Sequence, residues 1–178
     1  MIIEQDGYEV NVYSTTQTVD WNVLYADELP RVYNFFRYRM YDHQVAEDLT
    51  ATTFEKAWRS RNQYRRDRSG FSTWLFTIAR NVAIDYYRRR RTDVPLKADL
   101  PSDAVSLGEA QQHRDDIQQL KRLLAPLPPR ERELIALKYG AGLTNRAIAQ
   151  LVGLTETNVG TILHRVVKQL RTQWEQES

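Results

Sequence analysis

Apolar residues recur along this chain mostly at three- and four-residue spacing, which is the period of an α-helix with one buried face. The first such stretch runs from Trp21 to Phe36 and follows Asp20, a candidate N-cap. Pro30 interrupts the stretch and predicts a kink or a restart of the helix. Residues 1–20 alternate weakly and are expected to form a flexible extension, with at most a short strand. The remaining pattern predicts an all-α protein.

Two more helices are predicted in the N-terminal half. Asp42 is placed to cap the first of them, whose apolar positions are Val45, Leu49, Phe54, Ala57 and Trp58. Ser72 is placed to cap the second, whose buried side is expected to carry Trp74, Leu75, Ile78, Ala79, Val82 and Tyr86. This helix ends in the arginine run 88–91, where cations favour the helix dipole. The polar stretch from Asn62 to Gly70 predicts a loop between the two helices.

The C-terminal third shows the pattern of a helix-turn-helix motif. Thr144 is placed to cap a short helix over residues 145–152. Gly153 can adopt the positive φ that the turn requires. Thr155 is then placed to cap a longer helix that ends near Trp174.

Between the two helical blocks the periodic pattern fails. Residues 92–116 contain two prolines, one glycine and scattered acidic residues, a composition typical of a linker. The sequence therefore predicts two small helical domains, over residues 21–91 and 117–178, joined by a flexible acidic linker.

The net charge of the chain is only +2, but the charge is unevenly distributed. Residues 62–92 hold eight arginines against two aspartates, and residues 117–178 hold nine basic against five acidic residues. Residues 93–116 hold six acidic against two basic residues. Two basic blocks separated by an acidic one are typical of a protein that binds a polyanion at two places.

The composition argues against several other classes of protein. There is no cysteine, and three scattered histidines, His43, His113 and His164, form no convincing metal site. No segment approaches the ~20 apolar residues of a membrane span, and the N-terminus lacks a secretory signal, so a cytoplasmic protein is expected. No motif indicates an enzyme or a bound cofactor. Glu131 and Glu133 fall at a predicted helix start, where acidic residues favour the helix dipole.

The longer helix of the helix-turn-helix has two different faces. Its apolar face carries Val159, Leu163, Val166 and Leu170, and its opposite face carries Thr157, Thr161, His164 and Lys168, with Arg165 beside it. Short hydroxyls mixed with long cations suit a helix in the major groove of DNA. A merely solvated face stays the alternative for Arg165 and Lys168 taken singly, and His164 is expected to be a surface residue.

Arginines are interleaved with aromatic residues between positions 64 and 91. Guanidinium groups follow phosphates, and exposed rings stack on bases for about 1–3 kcal/mol per base, so the combination favours single-strand binding. Phe71, Trp74 and Tyr86 lie on the apolar stripe and are expected in the core. The better candidates for DNA contact are therefore Tyr64, Arg80, Asn81 and Tyr87.

Three segments of the chain, in order, resemble the extracytoplasmic-function class of bacterial RNA polymerase sigma factors. They are AEDLTATTFEKAW (Ala46–Trp58), FSTWLFTIARNVAIDYYRRRR (Phe71–Arg91) and LPPRERELIALKYGAGLTNRAIAQLVGLTETNVGTILHRVVKQLR (Leu127–Arg171). The resemblance covers most of residues 21–172. It implies a sigma domain 2 helical bundle, a sigma domain 4 helix-turn-helix, and a non-enzymatic subunit that directs core RNA polymerase to promoters.

The resemblance also implies three contact surfaces. The helix that bears Asp48 should dock on the β′ clamp through Glu47, Asp48, Thr52 and Glu55. The loop and the third helix should melt the −10 element, and a flipped base should be caught by the loop, through Tyr64, Arg65, Arg66, Arg80, Asn81, Tyr87 and Arg88. The second domain should sit on the β flap and read the −35 duplex through Thr144, Thr155, Thr157, Asn158, Thr161, His164, Arg165 and Lys168. The acidic linker should thread polymerase channels, and an anti-sigma factor is an expected partner.

Two positions depart from the family pattern. Ala51 and Thr52 stand where members often carry Gln-Glu, which moves the expected clamp contact to Glu47 and Asp48. Ile162 stands where many members have a cation, and it is expected either to pack on the flank of the domain or to contact a thymine methyl group. The nearest alternative function is a helix-turn-helix regulator that binds duplex DNA alone, which would leave the arginine–aromatic helix without a role.

Overall fold

The computed structural model describes residues 20–65, 70–93 and 119–177, and all regular structure in these ranges is helical. The N-terminal domain contains α1 (Trp21–Met40), α2 (His43–Arg59), a 3₁₀ turn (Arg61–Gln63) and α3 (Phe71–Asp93). The C-terminal domain contains α4 (residues 119–124), α5 (Pro129–Ile135), a π-helical segment (Ala136–Gly140), α6 (Asn145–Val152) and α7 (Glu156–Glu177). The prediction of an all-α fold in two helical domains is confirmed.

Helix α1 begins as predicted and continues past its proline. The carboxylate of Asp20 accepts hydrogen bonds from the backbone N–H groups of Asn22 and Val23, at 3.0 and 3.4 Å. Pro30 lies inside the continuous helix, so the predicted restart is wrong, whereas a kink at this position stays a prediction. A proline in a helix interior costs about 3 kcal/mol. Three fully buried side chains follow the proline: Val32, Phe35 and Phe36. Burial of each stabilises the fold by about 1.5–3 kcal/mol, which together outweighs the cost of the proline.

Helix α2 has the predicted cap, but α3 does not. The Asp42 carboxylate accepts from the backbone N–H of Val45 at 3.0 Å. Helix α3 starts one residue before Ser72, so the prediction that Ser72 caps it is wrong. The Ser72 hydroxyl instead donates to the carboxylate of Glu28 in α1 and accepts from Arg31 at 3.1 Å. Glu28 is only 5% exposed, and a buried carboxylate requires such donors.

The turn chemistry of the C-terminal domain follows the sequence closely. The hydroxyl of Thr144 accepts from Ala147 N–H, and that of Thr155 accepts from Asn158 N–H, both at 3.2 Å. Gly153 closes α6 with a φ of 69°, as the predicted turn requires. The helix-turn-helix is therefore confirmed in its two caps and its turn.

The two domains pack against each other and share one hydrophobic core. Helix α1 of the first domain lies against the π-helical segment of the second. A Cβ atom at Gly140 would lie 2.9 Å from the Asn34 carbonyl oxygen and 3.1 Å from the Phe35 Cα atom. The absence of a side chain at Gly140 is thus what allows the two backbones to approach. The Arg31 guanidinium adds a hydrogen bond to the Ala141 carbonyl oxygen at 2.8 Å.

The predicted extension lies outside the described residues except for residue 20, and the predicted linker does so except for residues 92 and 93. The predicted domain boundaries stay predictions. Among the described helices, none combines the length and apolarity of a membrane span. Within the same ranges, no group of three or more potential ligands forms a metal site.

Replacement of Thr144 by alanine should destabilise the C-terminal domain by about 1 kcal/mol, because the N–H of Ala147 loses its cap. Urea denaturation followed by circular dichroism measures this loss. Thr161→Ala is the matched control, because its exposed hydroxyl bonds only to the Thr157 carbonyl oxygen of its own helix. Equal destabilisation by both substitutions would contradict the capping role.

Candidate nucleic-acid interface

Helix α7 turns one face to the core and the other to solvent, as its sequence predicts. Val159, Leu163 and Val166 are at most 5% exposed, and Leu170 is half-buried. The solvent side carries Thr157, Asn158, Thr161, His164, Arg165 and Lys168, all of them exposed. Four of these positions follow one another at four- and three-residue steps, so they form a single line along the helix.

The two capping threonines extend this polar line across the turn. Thr144 and Thr155 are both exposed, and each hydroxyl oxygen already accepts a backbone N–H. Each hydroxyl proton can therefore still be donated to an acceptor outside the protein, such as a phosphate oxygen. All eight residues predicted to contact the −35 element thus lie on the exposed surface of the helix-turn-helix.

Two side chains of α7 do not fit a simple division into a buried apolar face and a free polar face. Arg165 is exposed but pairs with the Glu131 carboxylate of α5, so its charge is partly compensated inside the domain. Ile162 is half-buried and packs against the core cluster. Of the two alternatives for Ile162, the structure therefore supports packing on the domain.

The residues predicted on α3 for the −10 element fall on two different stripes. Asn81 and Arg88 are exposed and lie seven residues apart, on one side of the helix. Arg80 and Tyr87, also seven residues apart, face the rest of the protein. The Tyr87 hydroxyl donates to the Arg39 carbonyl oxygen at 2.9 Å, and the contact of Tyr87 with DNA stays a prediction.

Arg80, a predicted DNA contact, is bonded to the C-terminal domain through all three of its guanidinium nitrogens. Its Nε and Nη2 atoms donate to the two carboxylate oxygens of Glu133, at 3.0 and 3.3 Å, and Nη1 donates to the Leu151 carbonyl oxygen at the end of α6. Arg39 of α1 joins the same carboxylate at 2.5 Å. Both partners of Arg80 belong to the C-terminal domain, so Arg80 is not available to DNA in this arrangement.

The interpretation of Glu133 as a residue that merely favours the helix dipole is wrong. It is the fifth residue of α5, past the first turn, and its side chain is 12% exposed. Burial alone would raise the pKa of this carboxyl, but hydrogen bonds and positive charge from Arg80 and Arg39 outweigh burial and hold the pKa below its ordinary value. Sequence reasoning missed Arg39 as well, because its partner lies 94 residues away.

The predicted base-catching residue Tyr64 is not a freely exposed ring. It is half-buried, and its ring lies 5.6 Å from that of Phe71 and 5.2 Å from that of Trp74, centroid to centroid. Phe71, Trp74 and Tyr86 pack against the core, as predicted. Arg65 is exposed, and Arg66 lies outside the described residues. Tyr64 therefore forms the edge of an aromatic cluster with Phe71 and Trp74.

Helix α2 carries the residues predicted to bind polymerase on its solvent side. Asp48, Thr52 and Glu55 follow at four- and three-residue steps, and Glu47 lies beside them. Glu47 pairs with His43 at 3.3 Å and Glu55 with Arg59 at 2.6 Å. Exposed pairs of this kind contribute only about 0–1 kcal/mol, so a partner can replace them at little cost.

Trp58 was expected on the apolar side of α2 but is 54% exposed. The buried positions of the helix end in Ala57, and the next residue points about 100° away. The guanidinium of Arg61 lies 4.2 Å from the Trp58 ring centroid. Counted by the helical period from Asp48 and Glu55, Trp58 falls on the solvent side of α2, so the sequence could have predicted this exposed ring.

Comparison with known proteins shows which protein families the chain resembles. Sigma-70 region 2 matches residues 24–92, and Sigma-70, region 4 matches residues 117–170. The ECF RNA polymerase sigma factor SigM of Bacillus subtilis is 29% identical over 150 residues, covering 83% of this chain and 91% of that protein. SigW of the same organism, also an ECF RNA polymerase sigma factor, is 31% identical and covers 76% of this chain and 79% of that protein.

A solved structure shows the same fold. The sigma factor RpoE of Bartonella quintana, in complex with the anti-sigma factor NepR, superposes with a TM-score of 0.69 at 26% identity. The match covers 88% of this chain and 97% of that one.

Substitution of Glu133 by glutamine should lower the thermal unfolding temperature most at neutral pH. Because its folded-state pKa is lowered, the stabilisation by Glu133 is complete above the ordinary carboxyl pKa of about 4.3 and is lost as the pH falls through the lowered folded value. Unfolding temperatures of both proteins between pH 7 and pH 3 should therefore converge at the acidic end. A difference that stays constant with pH would contradict the ionised bridge.

Proposed function

The chain belongs to the extracytoplasmic-function family of RNA polymerase sigma factors, and from that premise we propose how its two domains divide promoter recognition between them. Sigma factors are non-catalytic initiation factors that direct core RNA polymerase to promoters. The N-terminal domain docks on polymerase through α2 and holds the melted −10 element. The C-terminal domain reads the −35 element as duplex. The observation that carries this division is the continuous exposed polar line along α7 behind its two threonine caps.

The C-terminal domain is suited to a major groove. Hydroxyl groups at Thr157 and Thr161 can reach base edges, while Lys168 and Arg165 extend to phosphates. Arg165 must exchange Glu131 for a phosphate, so Lys168 is the more direct contact. The N-terminus of α7 also directs backbone N–H groups toward the DNA backbone.

The N-terminal domain is suited to single-stranded DNA. Arg65, Asn81 and Arg88 supply exposed donors on the loop and on α3. The ring of Tyr64 offers one exposed side, against which a flipped base can stack. Arg80 becomes a further phosphate contact once its bonds to the C-terminal domain are broken.

Polymerase docking involves the acidic line of α2. Glu47, Asp48 and Glu55 present carboxylates, and Thr52 lies between them half-buried, with its hydroxyl bonded to the Asp48 carbonyl oxygen at 2.8 Å. Exposed Trp58 ends this line with an apolar anchor, and tryptophan is enriched at interface hot spots. The β′ clamp should therefore present basic groups around an apolar recess.

Three further points complete the proposal. An anti-sigma factor is an expected partner, as it is for the Bartonella quintana protein. The protein has no enzymatic activity of its own and works in the bacterial cytoplasm, where core polymerase and the chromosome are. The alternative, a helix-turn-helix regulator that acts alone, is not favoured, because Sigma-70 region 2 matches the N-terminal domain.

Asp48→Asn should weaken binding to core polymerase about tenfold and reduce promoter-specific run-off transcription in proportion, because an exposed carboxylate at the centre of the acidic line is lost. Titration of labelled protein with core polymerase measures the affinity, and run-off transcription on genomic fragments measures initiation. Asp27→Asn, an exposed aspartate on α1, is the matched control and should change little. Wild-type protein that neither binds core polymerase nor directs start sites would overturn the proposed function itself.

Lys168→Ala should weaken −35 duplex binding and reduce the slope of log affinity against log salt by about 0.9, the value of one phosphate contact. Fluorescence anisotropy with the isolated −35 duplex at several salt concentrations gives this slope. Lys56→Ala, on the N-terminal domain, should leave the slope unchanged. An unchanged slope for Lys168→Ala would remove this residue from the interface.

A further inference from the structure

A small cavity lies where the C-terminal end of α1 meets α4. Its volume is about 250 Å³, and its lining comes from both domains. The α1 side carries Arg37, Tyr38 and Tyr41, and the α4 side carries Leu120, Lys121 and Leu124. None of the described residues that line the cavity is acidic, and none is among the residues proposed to bind DNA or polymerase. The cavity therefore combines apolar walls with positive charge.

Tyr41 in this lining has a backbone conformation that tyrosine rarely adopts. Its φ of 58° lies in the left-handed region, and its N–H closes α1 by donating to the Arg37 carbonyl oxygen at 3.2 Å. Glycine or asparagine closes a helix in this way with less strain. The turn therefore does not explain a tyrosine side chain at this position, and strained residues of this kind cluster at binding sites.

The Tyr41 hydroxyl is a buried donor without an acceptor. The residue is 7% exposed, and no described residue forms a hydrogen bond with this hydroxyl. Burial raises the pKa of the hydroxyl more than the nearby charge of Arg132 lowers it, so the group stays protonated. The Cζ atom of Arg132 lies 5.5 Å from the Tyr41 ring centroid, and its buried Nε–H also lacks an acceptor among the described residues. Because buried polar groups normally have partners, an acceptor from outside the chain is expected here.

The groups around the cavity define the chemistry of such a ligand. A hydroxyl donor beside the cations Arg37 and Lys121 selects an acceptor with negative charge, which is an oxyanion. The Tyr38 ring and the side chains of Leu120 and Leu124 suit an apolar body on the rest of the molecule. Apolar walls with a few convergent polar groups are typical of ligand sites. A volume below the roughly 300–1,000 Å³ of drug-sized sites limits the ligand to a small molecule.

We propose that this cavity binds a small organic oxyanion, either a carboxylate or a phosphate monoester, carried on an apolar group. Tyr41 donates to an anionic oxygen, Arg37 and Lys121 compensate the charge, and the leucines of α4 contact the apolar group. Because the walls belong to α1 and α4, the bound anion contacts both domains and stabilises the folded protein by mass action. The site stands apart from the proposed DNA and polymerase surfaces, so it can be tested independently of promoter recognition.

A matched set of probes tests the ligand class on the free, full-length protein. Benzoate and phenyl phosphate carry the same ring on the two kinds of head group, benzamide is the uncharged counterpart of benzoate, and inorganic phosphate lacks the ring. Ligand-observed NMR titration should show dissociation constants in the millimolar range or tighter for one or both ring-bearing anions. Benzamide and inorganic phosphate should bind roughly tenfold more weakly. Binding of none of these probes, or benzamide binding as tightly as the ring-bearing anions, would refute the proposal.

Tyr41→Phe tests the position of the site, because it keeps the ring and removes only the hydroxyl. It should weaken binding of the ring-bearing anion roughly tenfold. Without ligand it should leave the unfolding temperature unchanged or raise it, since the hydroxyl has no hydrogen bond to lose within the described structure. Tyr25→Phe, at an exposed tyrosine of α1 outside the cavity, is the matched control and should bind as the wild type does. The site is wrong if Tyr41→Phe binds the anion normally, or if it unfolds at a lower temperature without ligand.

Lys121→Gln tests the α4 side of the same cavity. Loss of this half-buried cation should weaken binding of the ring-bearing anion by roughly threefold to tenfold. Lys56→Gln, at an exposed lysine of α2, is the matched control and should leave the affinity unchanged. Equal losses in the two variants would mean that the anion is attracted to the basic protein in general, which would also refute a defined site.

Discussion

One carboxylate, that of Glu133, joins the two halves of this protein through its bonds to two arginines. Glu133 receives Arg80 through both of its oxygens and Arg39 through one, and all three side chains are at most 20% exposed. Charges at such a boundary are tolerated only when they are paired and hydrogen-bonded, because desolvation of an unpaired ion costs several kcal/mol. Removal of one partner of a buried ion pair typically lowers the stability of a protein by about 3–5 kcal/mol. The lowered pKa of Glu133 has the same origin, since the two arginines outweigh the effect of burial.

This bridge links the fold of the chain to its function as a sigma factor. The polar surfaces of α2 and α7 are accessible in the observed arrangement, as the proposed polymerase and −35 contacts require. Part of the proposed −10 surface is different, because the other domain binds one of its residues, Arg80.

Local chemistry could be predicted from the sequence, and long-range contacts could not. The caps at Asp42, Thr144 and Thr155 and the turn at Gly153 depend on neighbours within four residues, and each prediction is confirmed. Ser72 looked like a cap but serves a buried carboxylate 44 residues away. Arg80 was correctly placed off the apolar stripe, yet no local pattern shows that Glu133, 53 residues later, would bind it. Pro30 lies inside α1 because the buried side chains that follow it outweigh the tendency of proline to end a helix.

The distance between the domains, measured in solution for the wild type and for Glu133→Gln, tests the account most directly. The chain contains no cysteine, so dyes can be attached through Thr77→Cys in α3 and Gln169→Cys in α7, both at exposed positions. Energy transfer between the dyes should be high in the wild type, in which Glu133 joins the two domains, and lower in Glu133→Gln. Low transfer in the wild type, or equal transfer in the two proteins, would contradict a bridge that holds the domains together.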